Sequence, residues 1–438
     1  MEYLPNIFFA LALALGFGFF AMNIRRLSRN IKLGKDAHRK DKKQERFKNM
    51  MMIAFGQSKM VKRPFSGLLH IIVYLGFVII NIEVLEIIID GLFGTHRVFK
   101  GVLGNGFYGF LIGTFEILAA LVFVAVVIFW LRRNVSNIKR FLSKEMKGWP
   151  KNDGNIILYF EMVLMTLFLV MNASDLPFQQ VGIGNPISQL IVPLFDGFSS
   201  ESIHIIERTA WWSHILGILV FLNYLYYSKH LHILLAFPNT FFANLKPKGQ
   251  FNNLESVTSE VKLMMDPEAD PYAIPEDDAE EAVPEKFGAS DVTDLNWVQL
   301  LNAYTCTECG RCTSSCPANL TGKELSPRKI MMDTRDRLEE VGRNIDANKG
   351  RFVDDGKQLL NDYISPEELW ACTSCNACVE ECPVNIDPLS IILDMRRYLV
   401  MEESAAPQEL NMMMTNVENN GAPWQYNQQD RLNWINEE

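Results

Sequence analysis

The chain has eight cysteines, and their spacing constrains it more than any other feature. Cys306, Cys309, Cys312 and Cys316 run directly into Pro317, and Cys372, Cys375, Cys378 and Cys382 run directly into Pro383. The pattern C-x2-C-x2-C-x3-C-P is thus written twice, with no cysteine left over. Three thiolates on one tight loop suit three corners of an iron–sulfur cubane. In two-cluster arrangements the fourth cysteine serves the other cluster. The spacing therefore predicts two [4Fe–4S] clusters with crossed ligands. Cys306, Cys309, Cys312 and Cys382 form one set; Cys372, Cys375, Cys378 and Cys316 form the other. Disulfides and structural zinc are the competing readings. The C-x2-C-x2-C run is crowded for disulfides, and the domain is expected in the cytosol, where thiols stay reduced. Zinc favours paired C-x2-C knuckles.

The 438 residues carry a net charge of −9 that is unevenly spread. The N-terminal half is apolar with basic loops, and the acidic residues crowd 255–285. The first apolar run has no basic region before it and no small-residue cleavage site after it, so no signal peptide is expected. Gly16 and Gly18 lie inside that run and read as helix packing. No Ser/His/Asp arrangement, nucleotide-binding glycine motif or flavin fingerprint is evident, so no catalytic nucleophile or base is assigned.

Five stretches, at about 4–24, 67–90, 107–131, 155–173 and 209–236, have the roughly 20 apolar residues that cross a bilayer. Glu161 interrupts the fourth. Lys and Arg crowd the loops after the first and third stretches, from Arg25 to Lys48 and from Arg132 to Lys147. Such loops admit a nucleic-acid or lipid reading, but topogenic charge is the plainer one, and nucleic acid is not expected as a partner. That bias predicts an outside N-terminus and a cytoplasmic cysteine-bearing half. Of the seven histidines, His70, His214 and His232 fall inside the stretches, together with His230 two residues before the last of them. His70 and His232 are expected at one membrane depth on opposite helices, as a bis-imidazole haem requires. On one continuous helix, His214 and His232 would share a face about 27 Å apart. His214 would then lie near the outer leaflet beside Asn81, Glu83, Glu86 and Asp90, with no histidine opposite. It reads either as a quinone or proton site or as a satisfied polar contact.

The five-span half resembles the cytochrome b subunit of respiratory nitrate reductase. His214 and His232 match that family's fifth-helix pair, and Ser228-Lys229-His230-Leu231-His232 matches its helix end. On the second helix only His70 matches, because Ile80 stands where the second histidine would be. The resemblance implies one haem b, between His70 and His232, and puts the second in doubt. The cysteine-bearing half resembles iron–sulfur subunits of the heterodisulfide reductase type. It is also similar to fused membrane proteins of the electron-transfer-flavoprotein:menaquinone oxidoreductase type. The matching residues include Glu308 to Cys312, Leu325 to Lys329, Trp370 to Cys372, Arg396 to Tyr398, and the tail from Ala422 to Trp434. In the fused relatives cysteine-rich CCG domains follow such a tail. The resemblance thus implies a CCG-type subunit and a flavoprotein as partners, with menaquinone as the membrane substrate.

The expected architecture is an all-α bundle of five transmembrane helices (1–236), an acidic linker (237–295), a mainly helical two-cluster ferredoxin domain (296–403), and a partner-docking tail (404–438). Helices are expected at Trp297–Tyr304, within 324–362 (Lys329–Glu340 and Lys357–Tyr363) and at 388–401. The tail shows little core-forming pattern; Met412, Met413 and Met414 read as ordinary packing or as a partner-docking surface. The expected function is that of an electron-transferring subunit of a quinone oxidoreductase in a bacterial cytoplasmic membrane. Glu86, Asp90 and His214 are candidates to help proton uptake. The alternative is a ferredoxin-bearing membrane scaffold with no quinone turnover of its own.

Overall fold

The computed structural model describes residues 3–136, 138–180, 182, 184–267 and 286–436. Among these residues there is no strand. Helix α1 (Leu4–Ile31) leads through a short α2 (Lys43–Met50) to α3 (Pro64–Phe93), α4 (Val98–Asn134), α5 (Trp149–Ser174) and α6 (Ser200–Tyr224). All but α2 are long and apolar enough to cross a membrane. Proline opens α1, α3 and α5 within the first two positions, where its missing N–H costs nothing. Glu161 does not interrupt α5, because one acid on a long helix leaves the backbone ladder intact.

The five long helices close into a ring, α1 against α3 and α6, α3 against α4, α4 against α5, α5 against α6. Phe9, Ile112, Phe115, Phe168 and Ile215 fill its interior. Gly76 lets α3 and α4 approach closely, since a Cβ there would meet Val122 at 2.4 Å. At the end remote from the cysteines, Arg97 donates to Asp175 (2.7 Å), Asn172 (2.9 Å) and Tyr108 (3.2 Å). Tyr108 donates to Glu86 (2.8 Å), and Asp90 accepts the Arg97 backbone N–H (2.6 Å). Glu86 and Asp90 therefore tie down the start of α4.

The fifth span departs from expectation. After a 3-10 turn at Leu225–Tyr227, Ser228 is extended (φ −115°, ψ 145°), and a second 3-10 turn, Lys229–Leu231, leads into α7 (His232–Phe241). The cause is local. Ser228 Oγ accepts the His230 N–H (3.1 Å), and the Asp153 carboxylate accepts the Lys229 N–H (3.2 Å) and the Tyr224 hydroxyl (2.6 Å). Side-chain acceptors of this kind compete with the helical ladder. His214 and His232 thus lie on two helices, and the single face shared over five turns is corrected. The expected boundary at residue 236 falls inside α7.

Helix α8 (Glu255–Met265) occupies part of the expected linker, and the acidic run Glu276–Glu281 lies outside the described residues. Helices α9 (Trp297–Thr305), α10 (Pro327–Ala347) and α11 (Pro388–Met401) stand where the pattern predicts, capped by Asn296, Ser326 and Asp387. The second expected helix of the insert is only a turn, because Leu360 is extended and Asn361 has φ +72°. The tail forms a helix, α12 (Gln408–Asn420), stopped by Gly421 at φ +62°. Its helix-favouring Gln, Glu, Leu and Met outweigh the absence of an apolar stripe, and Met412, Met413 and Met414 stay exposed.

One apolar core runs through both halves. Leu27, Phe221, Leu231 and Leu235 from the bundle end pack with Leu300, Leu338, Ile391 and Leu399. Gly34 permits backbone contact, since a Cβ there would lie 2.5 Å from the Trp297 nitrogen. Inside α10, Arg337 is fully buried and donates to Asp291 (2.8 Å) and Asp355 (2.7 Å). Arg337→Leu is expected to destabilise the cysteine-bearing half by about 3–5 kcal/mol, because it strands two carboxylates. Thermal loss of the iron–sulfur absorbance of the full chain checks this; an unchanged midpoint would refute it.

Candidate metal centres at the bundle end

The two cysteine loops share one backbone design. In the first, Glu308 (φ +52°) and Gly310 (φ +70°) are left-handed; in the second, Ser374 (φ +54°) and Asn376 (φ +60°) take the equivalent positions. Three of these four residues are not glycine, so the loops hold a conformation that L-residues rarely adopt. The turns aim backbone N–H groups at sulfur. Ser374 N–H donates to Cys372 Sγ at 3.4 Å, and Ile386 N–H to Cys382 Sγ at 3.3 Å. All eight cysteines are free thiols.

Each fourth cysteine has an electrostatic neighbour in the opposite loop. Burial, then the Cys309, Cys306, Cys382 and Cys378 sulfurs, push the Cys312 thiol well up. Burial likewise raises Cys372, whose sulfur neighbours are Cys316 and Cys375. Cys382 is thus an electrostatic neighbour of the first loop and Cys316 of the second, a proximity that fits crossed ligand sets. Among the described residues no three His, Cys, Asp or Glu side chains close around a single ion. A cubane asks for something else, four thiolates spread over separate corners, and the paired loops fit that demand. Burial pushes Cys306 up to about 12 and Cys382 to about 11, so both must shed protons on taking up metal.

Next to the first loop lie the histidines. The ring centres of His70 on α3 and His232 at the start of α7 are 6.5 Å apart, with planes at 39°. Were a metal held here, His70 and His232 would be its two imidazole donors, and metal–nitrogen bonds of about 2 Å would leave their ring centres about 6 Å apart. The pair fits a bis-imidazole site. His232 Nδ1–H donates to the Lys229 carbonyl oxygen at 3.0 Å, leaving Nε2 with its lone pair, and His70 Nδ1 is buried without a partner. His230 lies 5.5 Å from the His232 ring. His214 is elsewhere. It is buried in the bundle against Phe168 (6.1 Å), its Nδ1 without a partner and no histidine ring beside it among the described residues.

Residues 305–386 match the family model described as a 4Fe-4S dicluster domain. The dicluster domain thus covers both cysteine loops. The chain is 30% identical over 437 residues to a "Probable iron-sulfur-binding oxidoreductase FadF" of Bacillus subtilis, covering 93% of this chain and 57% of the relative. It is 26% identical over 432 residues to an "EtfAB:quinone oxidoreductase" of Syntrophomonas wolfei, covering 92% and 55%. Over 109 residues, 25% of this chain, it is 35% identical to one subunit of a ferredoxin/F(420)H(2)-dependent CoB-CoM heterodisulfide reductase of Methanosarcina acetivorans and covers 53% of it. The chain spans little more than half the length of these relatives. They are iron–sulfur oxidoreductases, and the chain resembles them as an electron-transferring iron–sulfur protein with membrane-spanning helices. No solved structure matches it.

Side chains of the membrane half hold the dicluster domain at its cysteine loops. Arg311 donates to the Lys59 carbonyl (3.1 Å), Lys59 Nζ donates to the Cys382 carbonyl (3.3 Å), and Arg328 donates to Glu145 (2.7 Å). The tightest tie is Glu308, which accepts from Lys229 and from Arg335 (2.8 Å) while nearly buried. Burial raises the Glu308 carboxyl, but its two cations outweigh that and hold it below its ordinary value of 4.5. Burial alone draws Lys229 toward its neutral form; with Arg335 also facing the carboxylate, the ionised pair prevails. A depressed folded-state value means that this stabilisation is present above about pH 4.5 and lost as pH falls through the lower folded value. Lys229→Met is therefore expected to cost about 3 kcal/mol at pH 7, and the cost should shrink in acid. A series of urea unfolding curves from pH 7 down to pH 2.5 checks this; a loss that stays constant over the whole range would refute the charge pair.

No sequence pattern points to the clamp made by Lys59, Lys229, Glu308 and Arg335. The available signal was Glu308, an acid inside a cysteine motif with a lysine in the helix-end motif, but nothing in one dimension pairs residues so distant.

Proposed function

We propose that the chain is the membrane electron-transfer subunit of a quinone oxidoreductase. It carries electrons between a soluble partner and membrane menaquinone, on the cytoplasmic face of a bacterial membrane. The two crossed cysteine sets hold two [4Fe–4S] clusters, and His70 and His232 hold one haem b. Bound there, these groups store and release single electrons. The observation that carries the reading is the 6.5 Å His70–His232 pair, with Arg311 of the first cysteine loop as an electrostatic neighbour of His70. The chain's own residues supply proximity: Arg311, Lys59 and Lys229 clamp the loop over the histidines. A flavoprotein or a CCG-type subunit is the expected soluble partner, a reading supported by the names of the relatives.

The test is a redox titration of purified membranes followed by addition of a menaquinone analogue. The reading requires a dithionite-reduced b-type band and its reoxidation by the quinone. A chain with iron–sulfur signals but neither of these would be the ferredoxin-bearing scaffold instead.

A further inference from the structure

Where the membrane half meets the first cysteine loop there is a cavity of about 350 Å³, lined by Arg63, Ser66, Arg132, Lys139, Arg140 and Ser314. It has four cations and no carboxylate in its wall. Arg63 has a partner in Glu381 at 3.2 Å, but among the described residues Arg132, Lys139 and Arg140 make no ion pair. Arg132 instead donates to Ser66 Oγ (3.2 Å), and Arg140 Nε is buried without a partner. The electrostatic neighbours of Arg140 are the Cys309 sulfur and three further cations, Arg63, Arg311 and Arg132. Like charges gathered this closely repel unless an anion sits among them. The start of α3 faces the same place with no side-chain cap, adding the positive end of a long helix dipole.

The depth of the cavity identifies the anion. Arg63 precedes the first residue of one spanning helix, and Arg132 lies in the last turn of the next. Both stand at the level of lipid headgroups. Beneath them Phe65, Leu68 and Leu131 are exposed, as acyl-chain contact requires. The Arg132 guanidinium lies 5.1 Å over the Phe65 ring, joining the cationic wall to this apolar flank. We propose that the cavity binds the phosphate of an anionic phospholipid, with its chains along α3 and α4, as a joint between bundle and dicluster domain. Ser314 of the first cysteine run is part of that joint.

The experiment uses the full chain, purified with its iron–sulfur clusters and stripped of lipid, and counts bound lipid by native mass spectrometry. The probes are phosphatidylglycerol, phosphatidylcholine and inorganic phosphate. One phosphatidylglycerol per chain should be retained, phosphatidylcholine should not, and millimolar phosphate should not displace it. Each interfacial cation contributes enough that Arg132→Gln with Lys139→Gln should weaken retention about 30-fold. Lys139→Gln alone, on an exposed side chain, should weaken it about fivefold, so the proposal survives a double variant that fails to fold. Arg25→Gln, an exposed cation at the same bundle end, should change nothing. Unchanged retention in Lys139→Gln, an equal loss in Arg25→Gln, equal uptake of phosphatidylcholine, or displacement by free phosphate would each overturn the lipid site. In the first case the cations would answer only the charge of the neighbouring cluster.

Discussion

Membranes carrying His70→Ala are expected to lose the dithionite-reduced b-type band entirely while keeping their iron–sulfur EPR signals. The argument is geometric. The His70 and His232 rings lie 6.5 Å apart on separate helices, close enough for both to hold one haem iron, with one ring nitrogen of His232 fixed by the Lys229 carbonyl. His230 shares the neighbourhood but is held by its ring contacts with Phe221 (5.5 Å) and His232. Since even partners behind a ligand change metal affinity about 10–100-fold, loss of the ligand itself should cut menaquinone reduction by more than about 100-fold. His232→Ala should behave the same way. His214→Ala should keep the band, because no second imidazole faces His214. A band that survives in His70→Ala, or disappears in His214→Ala, would remove the haem from this pair.

The second large effect concerns the crossed cysteines. Cys382→Ser and Cys316→Ser are each expected to lower bound iron from about eight to about four per chain, and each should spare the cluster nearer to it in sequence. Cys382 lies ten residues past Cys372, yet its sulfur neighbour is Cys309 of the other loop. The surviving cluster can be identified with Arg396, which donates to the Leu369 carbonyl (3.1 Å) and Ser374 Oγ (3.4 Å) beside the second loop. In Cys382→Ser the remaining EPR signal should shift when Arg396→Gln is added. In Cys316→Ser it should not. The opposite pattern would mean that each run of four cysteines binds its own cluster.

Much of this was legible in one dimension. The cysteine arithmetic and the five apolar stretches are short-range patterns, and short-range chemistry decides them. Three thiolates on one tight loop suit three corners of a cluster, and a lipid-exposed backbone must satisfy its own hydrogen bonds as a helix. Helices α9 to α11 appear as expected because their caps and apolar periods agree. The failures have an equally physical cause. The continuous fifth helix was broken by Asp153, a residue of another span that captures the Lys229 N–H. The tail carries little core-forming pattern, and α12 forms there with Met412, Met413 and Met414 exposed.

The basic loops show the division most clearly. Their charge was readable as topogenic, and the cysteine-bearing half does lie at their end of the bundle. That Lys59 reaches the Cys382 carbonyl, Lys229 the Glu308 carboxylate, and Arg63, Arg132 and Arg140 a common cavity could not be read from composition. By itself, then, the sequence determined the kind of chemistry, through ligand type and spacing, and the membrane-spanning character, through length and apolarity. Only the tertiary structure decided that Lys59 reaches the carbonyl of Cys382 and that both halves share one core. Those facts depend on packing between segments hundreds of residues apart, whose contact energies leave no periodic trace along the chain.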